Sequence, residues 1–174
     1  MNRLTMAWCS KVRMHTVLAT AILALCVGSA PVVAHSNGAA AAFASWVGVW
    51  SLVIAKSDFG TAVPQRSGTI TFRVAGNDQF RLLIDGAEPD GRQSHAEATF
   101  RPDGTGYPIE GWYPDTTISV KNIGRQIKWT IRLRGKIVDQ SLITMNRERS
   151  NFTFKSEYVE GPKPIYSVKV YERR

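Results

Sequence analysis

The sequence predicts an all-β fold, an antiparallel up-and-down meander closed into a barrel of about 8–10 strands. Three observations carry this. Apolar and polar residues alternate in short windows from Trp46 to the C-terminus, turn-forming clusters separate those windows, and no apolar period of helical length appears there. Short turns between successive strands make neighbours antiparallel. A meander of this length must hide one apolar face and protect two edges. Closure into a barrel does both, a two-layer sandwich only the first, and no long crossover favours the sandwich.

Trp46 to Ala55 is the first expected strand, followed by a loop from Lys56 to Pro64. Ile70, Phe72 and Val74 alternate with Thr69, Thr71 and Arg73; the turn Ala75-Gly76-Asn77-Asp78 returns the chain into Gln79–Asp85, with Phe80, Leu82 and Ile84 on one face. Pro89-Asp90-Gly91 is a turn with a mechanism, since proline presets φ and glycine accepts a positive one. Gln93–Arg101 is the next strand, Pro102-Asp103-Gly104 a turn, Tyr107–Gly111 a short extended piece and Thr116–Lys121 a return. Ile127, Trp129, Ile131 and Leu133 alternate most clearly. Lys136–Met145, Phe152–Tyr158 and Ile165–Tyr171 complete nine or ten strands.

Ahead of the strands lies a leader. Arg3, Lys11 and Arg13 precede an apolar run from Thr16, and Val32-Val33-Ala34 supplies small residues at positions −3 and −1. This order predicts a signal peptide over 1–34 cut after Ala34, hence a periplasmic or secreted protein with no membrane span after cleavage. The alternative is a retained anchor; Leu25 is too large for a lipobox before Cys26. Residues 35–45 (HSNGAAAAFAS) form a flexible segment or one short helical turn, and 46–174 the barrel domain. Both cysteines, Cys9 and Cys26, fall inside the leader, so the exported domain must be held by its core. Three of the 22 Lys and Arg and none of the 14 Asp and Glu precede His35, leaving 19 basic against 14 acidic residues, or +5. That balance suits an anionic surface or glycan as partner, and export argues against nucleic acid.

Gly48-Val49-Trp50 is the Gly-x-Trp that opens lipocalin and other calycin barrels. More of the chain matches a longer pattern: Gly48 to Phe59, Glu88-Pro89-Asp90-Gly91, His95-Ala96-Glu97, Asp103 to Gly111 and Val170-Tyr171-Glu172. In that order these segments resemble a family of small exported bacterial lipocalin-like proteins. The resemblance implies a calycin-like barrel and leaves the activity open. Val53 stands where the family usually has Asn, and the disulfide and C-terminal helix common in lipocalins are missing. By analogy with lipocalins, Arg173 is the candidate to pack over Trp50 by a cation–π contact.

The candidate chemistry is sparse. His95 and Glu97 share one face of a strand whose other face carries Ala96, Ala98 and Phe100. They point to solvent if that apolar face is the inner one, and form an acid–base pair if the lumen is polar. The sequence has no G-x-S-x-G elbow and no glycine-rich phosphate loop, and the spacing of its carboxylates selects no catalytic pair. Beyond Ala34 only His35 and His95 could supply imidazole to a metal, so neither a metal nor a cofactor is expected. Tyr107, Trp112 and Tyr113 bracket Gly111 near the expected rim, to cap the core or to stack on a ligand. Lys128, Arg132, Arg134 and Lys136 line the polar face of the clearest hairpin, either guarding it from aggregation or meeting an anion. The first functional expectation is a binding module that holds a small hydrophobic ligand, with Trp50, Phe72, Leu82, His95, Glu97, Tyr107, Trp129, Phe152 and Phe154 as candidate lining residues. The second is a structural or interaction protein using its basic exterior, and the third an enzyme built on His95 and Glu97.

Overall fold

Ten strands succeed one another in the order the turns predict. The structure, a computed structural model, describes residues 37–159 and 163–174. The expected leader, with Cys9 and Cys26, and His35 lie outside the described residues. The elements are α1 (Asn37–Phe43), β1 (Gly48–Leu52), β2 (Ser67–Gly76), β3 (Gln79–Ala87), β4 (Gln93–Phe100), β5 (Asp103–Pro108), β6 (Thr116–Ile123), β7 (Gln126–Leu133), β8 (Lys136–Met145), β9 (Asn151–Tyr158) and β10 (Ile165–Arg173). Single 3-10 turns at Ala44–Trp46 and Ile54–Lys56 flank β1.

All ten strands belong to one antiparallel sheet in the order β4-β3-β2-β1-β10-β9-β8-β7-β6-β5. The two ends of the chain of strands meet through β1 and β10, where Trp50 faces Arg173 and Leu52 faces Tyr171. Between β4 and β5, consecutive in sequence yet not laddered together, a seam remains. A pair of backbone bonds crosses it: Glu97 N–H donates to Glu110 O (3.0 Å) and Glu110 N–H to Glu97 O (2.8 Å). The barrel is therefore nearly closed. Gly111 makes the crossing fit, with φ +85° and a backbone so close to β4 that a Cβ would stand 2.2 Å from His95 O.

The alternation set the strands correctly and their ends less well. The first strand is shorter than Trp46 to Ala55, because Trp46 belongs to a turn and Val53 starts another. Val53 O accepts from Lys56 N–H (3.1 Å) and from Ser57 Oγ–H (2.8 Å), while Ser57 Oγ accepts from Val170 N–H (3.0 Å). A serine side chain thus carries the β10 ladder past the end of β1. The fifth strand begins at Asp103, inside the expected Pro-Asp-Gly turn, and a register shift between Asp103 and Gly106 absorbs the difference.

Of the two expectations for the alanine-rich segment, the helical one forms. Seven residues are too few for a helix to hold alone. Two aromatic anchors at its C-terminal end hold α1 in place: Phe43 and Trp46 are both fully buried. Phe43 meets Phe80 (4.6 Å between centroids), Phe72 and Phe100 (5.4 Å each, edge-on). These rings plug one end of the barrel.

Candidate functional site

Inward positions differ sharply between the two halves of the barrel. At the α1 end they are large: Trp46, Trp50, Phe72, Phe80, Phe100 and Phe152, all buried. Arg173 closes that end from outside. Its Cζ lies 4.2 Å over the Trp50 ring, and its three guanidinium nitrogens donate to Arg149 O (3.1 Å), Val47 O (2.8 Å) and Ser45 O (2.9 Å). The glycine of Gly-x-Trp is explained here, because a Cβ on Gly48 would come within 2.6 Å of Arg173 Nη1. Trp50 Nε1–H donates to Trp46 O (2.9 Å).

Toward the opposite mouth part of the wall becomes small or polar, while Trp129, Ile131 and Ile118 keep β6 and β7 large and apolar. Cross-strand register places Ser141 opposite Ser156 and Ser156 opposite Ser167, three serines abreast on β8, β9 and β10. On β4 the inward residues are Ser94, Ala96 and Ala98, and Gly68 and Gly86 continue the set on β2 and β3. Within this half stands a polar group. Ser141 Oγ–H and Ser156 Oγ–H donate to the two carboxylate oxygens of Asp139, each at 2.5 Å. Lys169, on the inward face of β10 between Ser167 and Tyr171, is close enough to feel the Asp139 charge. Burial raises Asp139 above its ordinary value, against the pull of both serine hydroxyls and of Lys169. It lowers Lys169, against the pull of Asp139 and of Glu88 in the β3–β4 turn. Tyr171, stacked on Phe152 at 5.0 Å, is pushed well up by burial.

A part-buried lysine beside a doubly hydrogen-bonded carboxylate gives this half of the lumen one amine donor and one acceptor in largely apolar walls. An anionic group brought next to Lys169 would favour its ammonium form and offset the cost of burial.

The sequence-predicted residues divide into two groups. Trp50, Phe72, Leu82, Trp129 and Phe152 are buried, and Phe154 packs edge-on against Trp129 at 5.6 Å. All face the barrel interior. Tyr107 packs against the same core, and its hydroxyl donates to Asp103 Oδ2 (3.0 Å). His95 and Glu97, by contrast, do not line the lumen. Ala96, Ala98 and Phe100 take the inward phase of β4, so both point out. His95 Nδ1 lies 2.7 Å from Asp85 Oδ1, and Arg81 Nη2 is 2.5 Å from Glu97 Oε2. His95 with Asp85, and Arg81 with Glu97, are cross-strand polar pairs on a solvent-facing sheet surface. No group of three or more His, Cys, Asp or Glu is arranged to hold a metal ion among the described residues. Trp112 and Tyr113 are 40% and 75% exposed, so they do not cap the core.

Sequence reasoning missed Asp139, Ser141, Ser156 and Lys169. The signal was present: Asp139 and Ser141 share the phase of Ile143 and Met145, and Lys169 that of Tyr171.

No family model and no curated protein matches the chain. Solved structures do. The fluorescent protein UnaG aligns with a TM-score of 0.53 at 14% identity, over 76% of this chain and 99% of its own. The fatty-acid-binding protein 1 of Echinococcus granulosus aligns with a TM-score of 0.50 at 10% identity, over 75% of this chain and 98% of its own. At such identities the likeness concerns the fold alone, which is that of the fatty-acid-binding-protein and calycin-like barrels.

Proposed function

We propose that this protein is an exported binding protein that holds one small amphipathic molecule in the half of the barrel away from α1. The apolar body would lie against Trp129, Phe154 and Ile131, and the polar or anionic end against Lys169 and the Asp139–serine group. One observation carries the reading: aromatic rings fill the half of the interior at α1, while in the other half glycine, alanine and serine share the wall with Trp129, Phe154 and Ile131 around a part-buried lysine. A domain built only for stability has no need to desolvate Lys169 and Asp139, since apolar residues of similar volume serve as well or better. The Echinococcus granulosus barrel bears a fatty-acid-binding name, which supports a ligand with an apolar body. Export rests on the leader, and the lipocalin-like sequence pattern supports a family of small exported bacterial proteins.

Native mass spectrometry tests the reading, with decanoate, decanol and decane offered separately. One retained decanoate or decanol per chain is expected. Lys169→Met should weaken decanoate about tenfold and leave decane unchanged. No retained molecule in any of the three, or decanoate unaffected by Lys169→Met, would count against it.

A further inference from the structure

The outer face of β6 to β9 carries an arrangement that folding does not need. Register aligns Lys121, Lys128, Leu142, Lys155 and Val168 in one row across five neighbouring strands, with Asp103 opposite Lys121 at one end and Asp58 opposite Val168 at the other. Lys121 and Lys128 stand directly opposite each other, where like charges are destabilising. Lys155 comes next on the other side of Leu142, each step being one strand spacing of about 4.8 Å. None of the three lysines forms an ion pair among the described residues, although five other pairs are formed. Asp103, opposite Lys121, accepts from Thr105 N–H and Tyr107 O–H, and Glu157 accepts from Tyr166 O–H. Cations often guard a strand edge, but β6 to β9 are paired on both sides, so there is no edge here to guard.

We propose that this face docks on an anionic lipid surface. Charge complementarity is the first argument, three unpaired lysines in a row against one sign of headgroup. The second is the apolar content of the same face: Leu142 is 39% exposed between Lys128 and Lys155, and Tyr166, one row away, is 60% exposed. A tyrosine and a leucine among lysines suit the boundary between headgroups and acyl chains. The third is residue type. Lysine is a mobile point charge suited to a fluid headgroup layer, whereas a sulfated glycan or a nucleic-acid backbone is better held by the planar fork of arginine. A shallow open depression of about 320 Å³ lies on this face, bordered by Lys128, Leu142, Lys155 and Tyr166 and also touching Ser141 and Ser156.

Flotation of the full chain with vesicles tests the proposal, using pure phosphatidylcholine and a 70:30 mixture with phosphatidylglycerol. Stronger partition to the anionic vesicles is expected, abolished by high salt. The triple variant Lys121→Gln/Lys128→Gln/Lys155→Gln should lower it roughly a hundredfold, from about 1 kcal/mol for each lysine near such a surface. A control triple variant, Arg125→Gln/Arg134→Gln/Lys136→Gln, removes the same charge elsewhere and should cost less than tenfold. Equal losses in the two triple variants would overturn the proposal, as would tighter binding to heparin or single-stranded DNA than to the anionic vesicles. Leu142→Lys adds charge but removes apolar contact, and a partition unchanged or lowered by it would support the proposal. Folding is checked by circular dichroism, and Lys→Arg at the same three positions should retain anionic partition even if the Gln variants prove unstable.

Discussion

Phe43 is the residue on which the plug at the α1 end depends, and Phe43→Ala is the perturbation that isolates it. The side chain is fully buried and meets four aromatic rings, with centroid distances from 4.6 Å to 6.4 Å. Truncating a buried phenylalanine costs about 3–5 kcal/mol, and loss of two edge-on and two further ring contacts puts this site near the upper part of that range. The cost has two origins here. A void opens between Phe72, Phe80 and Phe100, and α1 loses the anchor without which so short a helix does not persist. At about 2–4 °C per kcal/mol, a loss of about 4 kcal/mol lowers the melting temperature by roughly 10–15 °C. Urea unfolding followed by tryptophan fluorescence measures the free energy, and hydrogen exchange of the 40–46 amides reports whether α1 is released. A loss below about 1 kcal/mol with those amides still protected would refute the argument, because the ring contacts would then be incidental.

The geometry fixes three other outcomes. Gly111→Ala forces a Cβ into His95 O at φ +85° and should cost about 2–3 kcal/mol, read by chemical denaturation, whereas Gly124→Ala, with nothing near its Cβ, should cost less. Burial raises Asp139, so between its unfolded and folded values the native state holds the extra proton and stability falls as pH rises through that window. Asp139→Asn should remove that fall, a slope of up to about 1.4 kcal/mol per pH unit in urea denaturation as pH rises above the ordinary carboxylate range. Arg173→Lys keeps the charge but cannot bond Arg149, Val47 and Ser45 carbonyls together, and should lower stability by about 1–2 kcal/mol in thermal melts.

Much of the fold was legible because period-2 alternation is a local property. Ile127, Trp129 and Ile131 announce β7 and its inner face without reference to anything distant. Strand ends were less legible, since they depend on partners far along the chain. β1 stops at Leu52 because Ser57 Oγ takes the Val170 N–H while Val53 N–H still donates to Val170 O, and β5 begins at Asp103 because β6 is there to receive it. The helix α1 could not be chosen from alanines alone. Its signature was Phe43 and Trp46, three residues apart and therefore on one side of a helical turn. The polar group in the lumen was legible in phase but not in meaning. A charged residue on an apolar face becomes informative only once closure shows that face to be the inside.

The account rests most heavily on where a ligand sits. Intermolecular NOEs between the chain protons of bound decanoate and the protein's aromatic rings measure this directly. Contacts to Trp129 and Phe154 are predicted, with the decanoate carboxylate perturbing Lys169. Contacts confined to outward side chains such as Tyr166, with Trp129 and Phe154 silent, would contradict it.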